Sequence, residues 1–267
     1  MKKAISLFIL AFALSASAQS NYAIRLDTSC VLPWSGSSDT NWTGVGATGS
    51  VAAATLIPAG GYDFTGTNSG AQVNNNTNTF ALLSGASHLA VSCWVRPDAL
   101  SSSADIFYIL ETNTASFAMF RLVVTNANGS FRAGFRANTN DTFGAVSVPS
   151  GSLTNGAWSH LFAQVQYGGV SHAIIGINGM VVASNNMTFV ASTNGMVLQP
   201  STASPRLYIG RDQTTASGRW DGRINDVRVF TSDVRSVIGT IYSQGQSPDG
   251  GCTGETIPSP FFIRFIR

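Results

Sequence analysis

The segment that most constrains the fold spans residues 205–230. Leu207 and Ile209 alternate there with Tyr208, and a polar stretch at 211–218 separates them from a second alternating run. Successive side chains of a β-strand point to opposite faces, so both runs are predicted to be strands. A Gly/Ser/Thr-rich stretch between two such runs predicts a long hairpin in an antiparallel sheet.

The same alternation recurs along most of the chain. Further strands are predicted at residues 22–26, 89–97, 106–110, 119–125, 130–137, 158–165 and 175–182. Residues 126–129 (NANG) predict a hairpin turn, and Asn178-Gly179 suits the positive-φ positions of a type I′ turn. The pattern is that of an all-β protein with short connections.

One helix is predicted after the last strand. Val234, Val237, Ile238 and Ile241 recur at the i, i+3, i+4 and i+7 spacing of a helical face, and Ser232 is the predicted N-cap. The pattern predicts a short helix, with Gly245 beyond its end.

Composition excludes a nucleic-acid-binding surface. Charged residues make up 10% of the chain, whereas a soluble domain usually carries about 25%. Both lysines lie at positions 2 and 3, and removing them from 15 basic residues leaves 13 arginines against 13 acids. The rest of the chain is formally neutral, so no basic footprint for phosphate binding is expected.

Residues 1–18 have the features of a secretory signal peptide. Lys2 and Lys3 precede an apolar run, and Ala16-Ser17-Ala18 forms a small-residue cleavage site before Gln19. The apolar run is shorter than the roughly 18 residues that a membrane span requires. Secretion, through a leader of bacterial type, is therefore predicted, with no membrane span.

Several motifs resemble those of one family, in the same order. They are YDFTG at 62–66, LAVSCWVRP at 89–97, WSHL at 158–161, INGMVV at 177–182 and WDGRINDVRVF at 220–230. Together they resemble the laminin-G-like, concanavalin A-type jelly-roll family. The resemblance implies an antiparallel two-sheet β-sandwich with one short helix near the C-terminus. The implied domain spans residues 61–246, preceded by a lead-in at 19–60 and followed by a tail at 247–267.

The resemblance implies a non-catalytic module that binds carbohydrate or another extracellular surface component. Sugars are bound by an exposed aromatic ring together with polar side chains. Trp220, Arg211 and Asn178 are the predicted ligand-binding residues, because they stand in loop-like sequence. A tryptophan packed back onto the sandwich is the alternative for Trp220.

The resemblance also implies a Ca²⁺ site at the rim of the sandwich. Calcium takes six to eight oxygen ligands, which loop carboxylates and carbonyls supply. Asp212, Asp141 and Asp221 are the candidate metal ligands. The alternative is that each is a turn or cap residue bonded to its own backbone.

An enzymatic function is not expected. Glycosidases of this fold use two carboxylates about 5–9 Å apart. The chain has only two glutamates, Glu111 and Glu255, and neither has an acidic neighbour at the spacing of an ExDxxE strand. No GxSxG motif is present, and His160 falls where the family commonly has a structural histidine.

The three cysteines suggest one bridge and one buried thiol. Cys30 and Cys252 flank the resembling region, and domain termini often lie close together, so a disulfide between them is predicted. An intermolecular bond through either cysteine is the alternative. Cys93 lies in a predicted strand and is expected to be a buried small hydrophobe.

The segment FFIRFIR at residues 261–267 lies outside the family pattern. It mixes apolar and basic residues in a strand-like run, so it could pair with a sheet edge of another subunit. A structural or assembly protein of an envelope, matrix or particle is therefore the alternative function.

Overall fold

The computed structural model describes most of the chain beyond residue 60 and short strands before it. The described residues are 22–26, 38–39, 42–44, 49–52, 55–57, 61–64, 70–73, 83–101, 103–110, 118–136, 144–168, 170–188, 206–211 and 218–244.

The described residues are mostly in β-strands, as the alternation predicted. The strands are β1 (Tyr22–Leu26), β2 (Ser38–Asp39), β3 (Trp42–Gly44), β4 (Gly49–Ala52), β5 (Thr55–Ile57), β6 (Gly61–Phe64), β7 (Gly70–Val73), β8 (His88–Pro97), β9 (Ala104–Leu110), β10 (Ala118–Val124), β11 (Phe131–Phe135), β12 (Gly144–Val148), β13 (Ser159–Gln166), β14 (Ser171–Ile177), β15 (Met180–Met187), β16 (Arg206–Ile209) and β17 (Gly222–Phe230). Helix α1 (Ile238–Gln244) follows a 3₁₀ turn at Arg235–Val237.

The strands form two antiparallel sheets, as expected for a concanavalin A-like jelly-roll sandwich. In the described part of the chain, one sheet has nine strands, in the order β15-β14-β13-β8-β17-β1-β3, with β6 also paired to β17 and β5 to β6. The other has eight strands, in the order β12-β11-β10-β9-β16-β7-β4-β2. The predicted fold class is confirmed.

The predicted hairpin over residues 205–230 is wrong. Both of its runs are strands, but β16 pairs with β9 and β7, whereas β17 pairs with β8, β1 and β6. The connection between β16 and β17 therefore crosses from the eight-stranded sheet to the nine-stranded sheet. Two alternating runs establish two strands, but alternation does not say which strands pair.

The main core lies between the two sheets. Val91, Cys93 and Val95 of β8 belong to it, together with side chains of the opposite sheet such as Phe107 and Phe120. Each large aliphatic or aromatic side chain buried there contributes roughly 1.5–3 kcal/mol to folding. The core holds the two sheets face to face and fixes which residues point outward.

A second, smaller core covers the outer face of the nine-stranded sheet. Val234, Ile238 and Ile241 pack there against sheet residues that include Phe162 and Ile174. This is the predicted helical face, and it explains why β8 is buried on both sides. The N-cap prediction is wrong in detail, because Oδ1 of Asp233 rather than Ser232 accepts a hydrogen bond from the N–H of Arg235, at 3.0 Å.

The two predicted turns are confirmed. Strands β10 and β11 pair across residues 126–129, with the N–H of Thr125 donating to the carbonyl of Ser130 at 2.9 Å. Asn178 and Gly179 have φ values of 50° and 79°, the positive pair that a type I′ turn requires. These turns fix the register of β10 with β11 and of β14 with β15.

Strand β17 contains a bulge in the middle of the nine-stranded sheet. Asn225 pairs with Trp94 and Arg228 with Ser92, so two residues of β17 face Cys93 alone. Asp226, within the bulge, has a φ of 46° and forms a buried ion pair with Arg228 at 2.5 Å. No helix in the described residues is long and apolar enough to cross a membrane.

Candidate functional site

The expectation that Trp220 presents an exposed ring is wrong. Trp220 is 2% exposed and belongs to the core between the sheets. The backbone N–H of Trp220 donates to the carbonyl of Gly210 at 2.9 Å, and this bond holds the β16–β17 connection against the sandwich. The connection crosses from one sheet to the other, so its tryptophan fills the core instead of facing a ligand.

Asn178 lies on the nine-stranded sheet and serves its own turn. Its Oδ1 accepts a hydrogen bond from the N–H of His160 at 2.9 Å, and its N–H donates to the carbonyl of His160 at 2.8 Å. Arg211 follows β16 of the other sheet. The structure therefore does not bring the three predicted ligand-binding residues together.

Arg211 lies flat on the outer face of the eight-stranded sheet. Its guanidinium carbon is 5.2 Å from the centre of the Tyr208 ring, a cation–π arrangement. A Cβ atom on Gly70 would collide with the side chain of Arg211, so the glycine leaves the space that the arginine occupies. Arg211 is thus held in one orientation while remaining half-buried.

The sheet register places Tyr208, the residue beneath Arg211, in one row with Arg121, two strands away. Tyr208 pairs with Tyr108, Tyr108 with Arg121, and Arg121 with Gly134. On the other side of β16, Tyr208 pairs with Gln72. Tyr208 alternates with Leu207 and Ile209, which point to the core, so its ring lies on the opposite face of the sheet, where it is 1% exposed.

A bidentate ion pair fixes the arginine of this row. Nε and Nη2 of Arg121 donate to the two carboxylate oxygens of Asp105 at 2.5 and 2.9 Å. Asp105 is fully buried, whereas the side chain of Arg121 is 25% exposed. The guanidinium is therefore oriented by a buried carboxylate.

Two further arginines stand on the same face. Arg132 and Arg136 are half-buried and alternate with Phe131, Ala133 and Phe135, which point to the core. The Nε of Arg132 is buried and has no hydrogen-bond partner among the described residues. We name the sheet face that carries these arginines, Arg211 and the buried Tyr208 the arginine–tyrosine face; its arginines are Arg121, Arg132, Arg136 and Arg211.

Asp221 lies at a rim of the sandwich near two other carboxylates. Partial burial raises the pKa of Asp221, with smaller contributions from Asp98 and Asp63. The N–H of Asp98 donates to the carbonyl of Asp221 at 3.0 Å, and Arg96 and Arg223 pair with Asp98 and Asp63. Among the described residues, no three His, Cys, Asp or Glu side chains are grouped as a metal-binding set.

Other predicted residues lie outside the described ranges. They are the metal candidates Asp141 and Asp212, the cysteines Cys30 and Cys252, the glutamates Glu111 and Glu255, the leader at residues 1–18 and the segment at 261–267.

His160 and Cys93 are buried and serve the fold. Burial lowers the pKa of His160 to about 4, and its ring packs against those of Trp94 and Tyr242, with ring centres 5.4 and 5.7 Å away. Burial, with the nearby Asp226 carboxylate, raises the pKa of the Cys93 thiol above its ordinary value. A neutral ring and a protonated thiol in these positions are packing groups.

Residue-by-residue reasoning missed most of the arginine–tyrosine face. The strand pattern predicts only that Arg121 and Arg132 lie in strands, and nothing local distinguishes them from other strand arginines. The signal is the repeated appearance of arginine at polar positions of neighbouring strands. It becomes visible only when the register brings those positions side by side.

The comparison with protein families matches one family over most of the folded region. Residues 65–236 match a laminin G family model described as the concanavalin A-like lectin/glucanases superfamily. This range covers β7 to the 3₁₀ turn and contains every residue of the arginine–tyrosine face. A search of the curated proteins finds no match to the sequence.

Solved structures of the same fold include binding domains and an enzyme. The botulinum neurotoxin serotype D binding domain matches with a TM-score of 0.57 and 16% identity, over 84% of this chain and 51% of that one. The binding domain of neurotoxin DC in complex with SialylT matches with a TM-score of 0.57 and 13% identity, over the same shares. A Trypanosoma rangeli sialidase matches with a TM-score of 0.55 and 16% identity, over 86% of this chain and 33% of that one.

These structural matches concern the fold. The chain spans about half the length of the neurotoxin domains that it matches, and about a third of the sialidase.

Proposed function

This chain belongs to the concanavalin A-like lectin/glucanases superfamily, and we propose that it is a secreted, non-catalytic module that binds carbohydrate through its arginine–tyrosine face. The observation that carries the proposal is the set of half-buried arginines on that face, in which Asp105 orients Arg121 and the buried ring of Tyr208 orients Arg211. The fold alone would not choose a surface, because jelly rolls carry many functions.

The arginines of this face suit the recognition of sugar hydroxyls. A guanidinium presents up to five N–H donors in a fixed plane. Asp105 orients Arg121 and the ring of Tyr208 orients Arg211, so little side-chain entropy is left to lose when a ligand binds. The outer face of the other sheet is covered by α1 and offers no comparable surface around Phe162 and Ile174.

The matched neurotoxin domains support a binding role by analogy. One is a receptor binding domain, one was solved in complex with synaptotagmin II and one in complex with SialylT. Laminin G-like domains are typically extracellular, which agrees with the predicted leader at residues 1–18. A sugar or another component of an extracellular surface is therefore the proposed partner.

The arginine–tyrosine face supports binding rather than hydrolysis. A glycosidase of the usual kind needs two carboxylates across the scissile bond. Strands β9 to β12 and β16 carry one acid, Asp105, and both of its oxygens are bonded to Arg121. The matched sialidase shares the fold. Release of free sugar from a bound glycan would contradict the non-catalytic role proposed for this chain.

Calcium assistance is part of the proposal at the rim that carries Asp221. Burial and, to a smaller degree, the carboxylates of Asp98 and Asp63 raise the pKa of Asp221, and a divalent cation would relieve the repulsion among the three carboxylates. The described side chains do not complete a metal set, so Asp212 or Asp141 and backbone carbonyls would supply the remaining oxygens.

The proposal is tested by glycan binding with matched arginine variants. Purified protein from residue 19 onward is applied to a glycan and polysaccharide array in calcium and again in EDTA. We expect retention on a subset of glycans, a loss of about tenfold in affinity for Arg211→Ala, and no loss for Arg235→Ala, which lies beside α1 on the other sheet. Retention that Arg211→Ala leaves unchanged would show that this face is not the binding site.

A second candidate function is assembly through an exposed sheet edge. Strand β15 is an edge strand of the nine-stranded sheet, and Met180 and Val181 are 66% and 44% exposed on it. An exposed apolar edge is a pairing site for another strand, and residues 261–267 have a strand-like sequence. We propose self-association through that segment as the alternative to glycan binding.

Light scattering distinguishes this alternative. The full chain should form concentration-dependent oligomers that a deletion of residues 261–267 abolishes, while glycan retention survives the deletion. A monomer at all concentrations would exclude assembly through this segment.

A further inference from the structure

Strand β15 is an unprotected edge of the nine-stranded sheet. Among the described residues it pairs with β14 alone, and six of its eight residues are exposed. Proteins usually guard such an edge with lysine, proline or a very short strand, because its free N–H and C=O groups can pair with another strand. The sequence of β15, MVVASNNM, contains no charged residue and no proline. This edge is therefore open to a further strand.

The other sheet edges in the described part of the chain are better protected. Strand β3 has three residues and β2 has two, so each offers few backbone groups. Strand β12 has five residues, and the carbonyl of its Ala145 accepts a hydrogen bond from Nδ2 of Asn185 at 3.1 Å. Strand β15 is thus the longest edge strand that the structure describes and the one with the least protection.

Strand β15 is held in place by both sheets. Its pairing with β14 is continuous from Met187 back to Ala183, and a single bulge follows at Val182. Met187 is buried, and a Cβ atom on Gly144 of β12 would collide with its side chain. A partner strand therefore meets an edge that is already ordered, so little conformational entropy is lost from this side when the two strands pair.

The beginning of β15 also exposes apolar side chains. Met180, Val181 and Val182 are 66%, 44% and 41% exposed, and they are three of the four large hydrophobic residues exposed in the described part of the chain. The fourth, Val170, lies in the loop between β13 and β14. Apolar side chains grouped on one strand edge indicate a contact surface.

We propose that β15 pairs antiparallel with β15 of a second copy of this chain, so that the protein forms a two-fold symmetric dimer. An uncharged strand laid on its own copy opposes no like charges. The segment at 261–267, which is the occupant of this edge in the alternative function, carries Arg264 and Arg267. Neither β14 nor β15 has an acidic residue to receive them. Charge matching therefore favours the second copy.

The symmetry of the pair determines where the two sandwiches lie. Antiparallel pairing of identical strands places the two-fold axis perpendicular to the sheet at the join. The two nine-stranded sheets then form one continuous sheet, with both eight-stranded sheets on the same side of it. One dimer carries two arginine–tyrosine faces, which a surface dense in glycans engages together. This last consequence rests on the proposed function, whereas the dimer does not.

Ser184 reports on this pairing because it lies in the regular part of β15. It is exposed and pairs with Ile174 of β14, which belongs to the smaller core on the outer face of the sheet. In a symmetric pair centred on this part of the strand, the two Ser184 side chains lie opposite or diagonal to each other, about 5–8 Å apart. A charge introduced here therefore faces its own copy across the axis.

The experiment is a charge swap at Ser184, read by sedimentation equilibrium of protein from residue 19 onward. Ser184→Lys and Ser184→Glu are measured separately and as an equimolar mixture, beside wild type and a chain that lacks residues 261–267. Ser101→Lys is the matched control, because Ser101 is exposed between β8 and β9, which are both interior strands. Melting curves confirm that each variant is folded, and a non-reducing gel shows whether any dimer is held by a disulfide.

We expect wild type to dimerise with a Kd of about 10–100 µM, since one pair of strands makes a smaller interface than most stable complexes. Each Ser184 variant alone should raise the Kd about tenfold or more through like-charge repulsion, and the mixture should restore dimerisation. Ser101→Lys and the deletion of residues 261–267 should leave the Kd unchanged. Backbone amides of β15 should exchange with deuterium more slowly as the wild-type concentration rises through the Kd.

Several outcomes overturn the inference. A wild-type protein that stays monomeric at roughly 500 µM refutes the dimer and leaves glycan binding by the monomer untouched. Loss of the dimer on deletion of residues 261–267 identifies that segment as the occupant of the edge. Dimerisation of Ser184→Lys at wild-type strength, or a mixture that stays monomeric, shows that β15 does not meet its own copy. Dimerisation is measured without glycan, so a failure of glycan binding is distinguishable from all of these results.

Discussion

Asn178 holds His160 by both of its backbone groups. The side-chain Oδ1 of Asn178 accepts from the N–H of His160 at 2.9 Å, and the N–H of Asn178 donates to the carbonyl of His160 at 2.8 Å. A turn between β14 and β15 is thereby fastened to the beginning of β13. The positive φ of Asn178, 50°, makes asparagine better suited to this position than most residues.

We predict that Asn178→Ala lowers the free energy of unfolding by about 1–2 kcal/mol, because it removes one hydrogen bond and strains the left-handed backbone. Asn178→Gly also loses the side-chain bond but keeps the positive φ, so it should cost less. Urea denaturation measures both values. Equal losses in the two variants would contradict a contribution from the backbone conformation.

The buried ion pair of Asp226 and Arg228 should be costly to break on one side only. We predict that Asp226→Asn lowers the free energy of unfolding by about 3–5 kcal/mol, because Arg228 is left buried without its counter-charge. Asparagine tolerates the positive φ at this position, so the backbone is preserved. The double variant Asp226→Asn/Arg228→Met should recover part of this loss, as a double-mutant cycle of unfolding free energies would measure. If the losses of the two single variants simply added up in the double variant, the ion pair would not be the cause.

Stability should fall as the pH drops below neutrality, because His160 is buried as the neutral ring. Its pKa is about 4 in the folded protein against 6.5 ordinarily, so only the unfolded chain takes up the proton between these values. The free energy of unfolding therefore has its full value, as far as His160 is concerned, above pH 6.5. It falls by about 1.4 kcal/mol per pH unit as the pH drops from there towards 4. Urea denaturation at several pH values should show a shallower slope for His160→Gln than for wild type, and identical slopes would refute the assignment.

Gly70→Ala should weaken glycan binding without unfolding the protein. The added methyl group would occupy the space that the side chain of Arg211 now fills, so the guanidinium would leave the Tyr208 ring. The matched control is Gly239→Ala in α1, where a Cβ meets no neighbour and alanine should stabilise the helix by about 0.5–1 kcal/mol. Array binding that survives Gly70→Ala at full strength would argue against Arg211 as a ligand contact.

Trp220→Ala should destabilise the sandwich instead of acting on a ligand. Removing a ring that is 2% exposed leaves a cavity, and such truncations cost about 3–5 kcal/mol. Trp220→Phe fills part of the space and should cost less. A stable Trp220→Ala variant that merely loses glycan binding would restore Trp220 as a ligand residue.

Local patterns identified most strands and both tested turns, because alternation and Asn-Gly pairs act over a few residues. The burial of Trp220 and the sheet change between β16 and β17 could not be predicted in this way, since polar neighbours suggest a surface loop. Trp220 is buried because the chain crosses from one sheet to the other between β16 and β17, before β17 pairs with β8. That path is set by the whole sandwich.

The candidate site was likewise predictable from local sequence only in part. Arg211 was singled out because it follows a strand in loop-like sequence, and the structure places it on the arginine–tyrosine face. Arg121 and Arg132 come together only through the register of β10 with β11, which a single sequence does not supply. Long-range pairing therefore decides which polar residues become a site.

The position of β17 has a consequence for how the chain acquires its structure. This strand lies in the interior of the nine-stranded sheet, between β8 on one side and both β1 and β6 on the other, although it is the last strand in the described chain. A ribosome must therefore release residues 222–230 before β1 and β6 can be joined to β8. Until then the partly made sheet has an open seam at its middle, and folding is expected to be slow, with that seam as the point most exposed to aggregation.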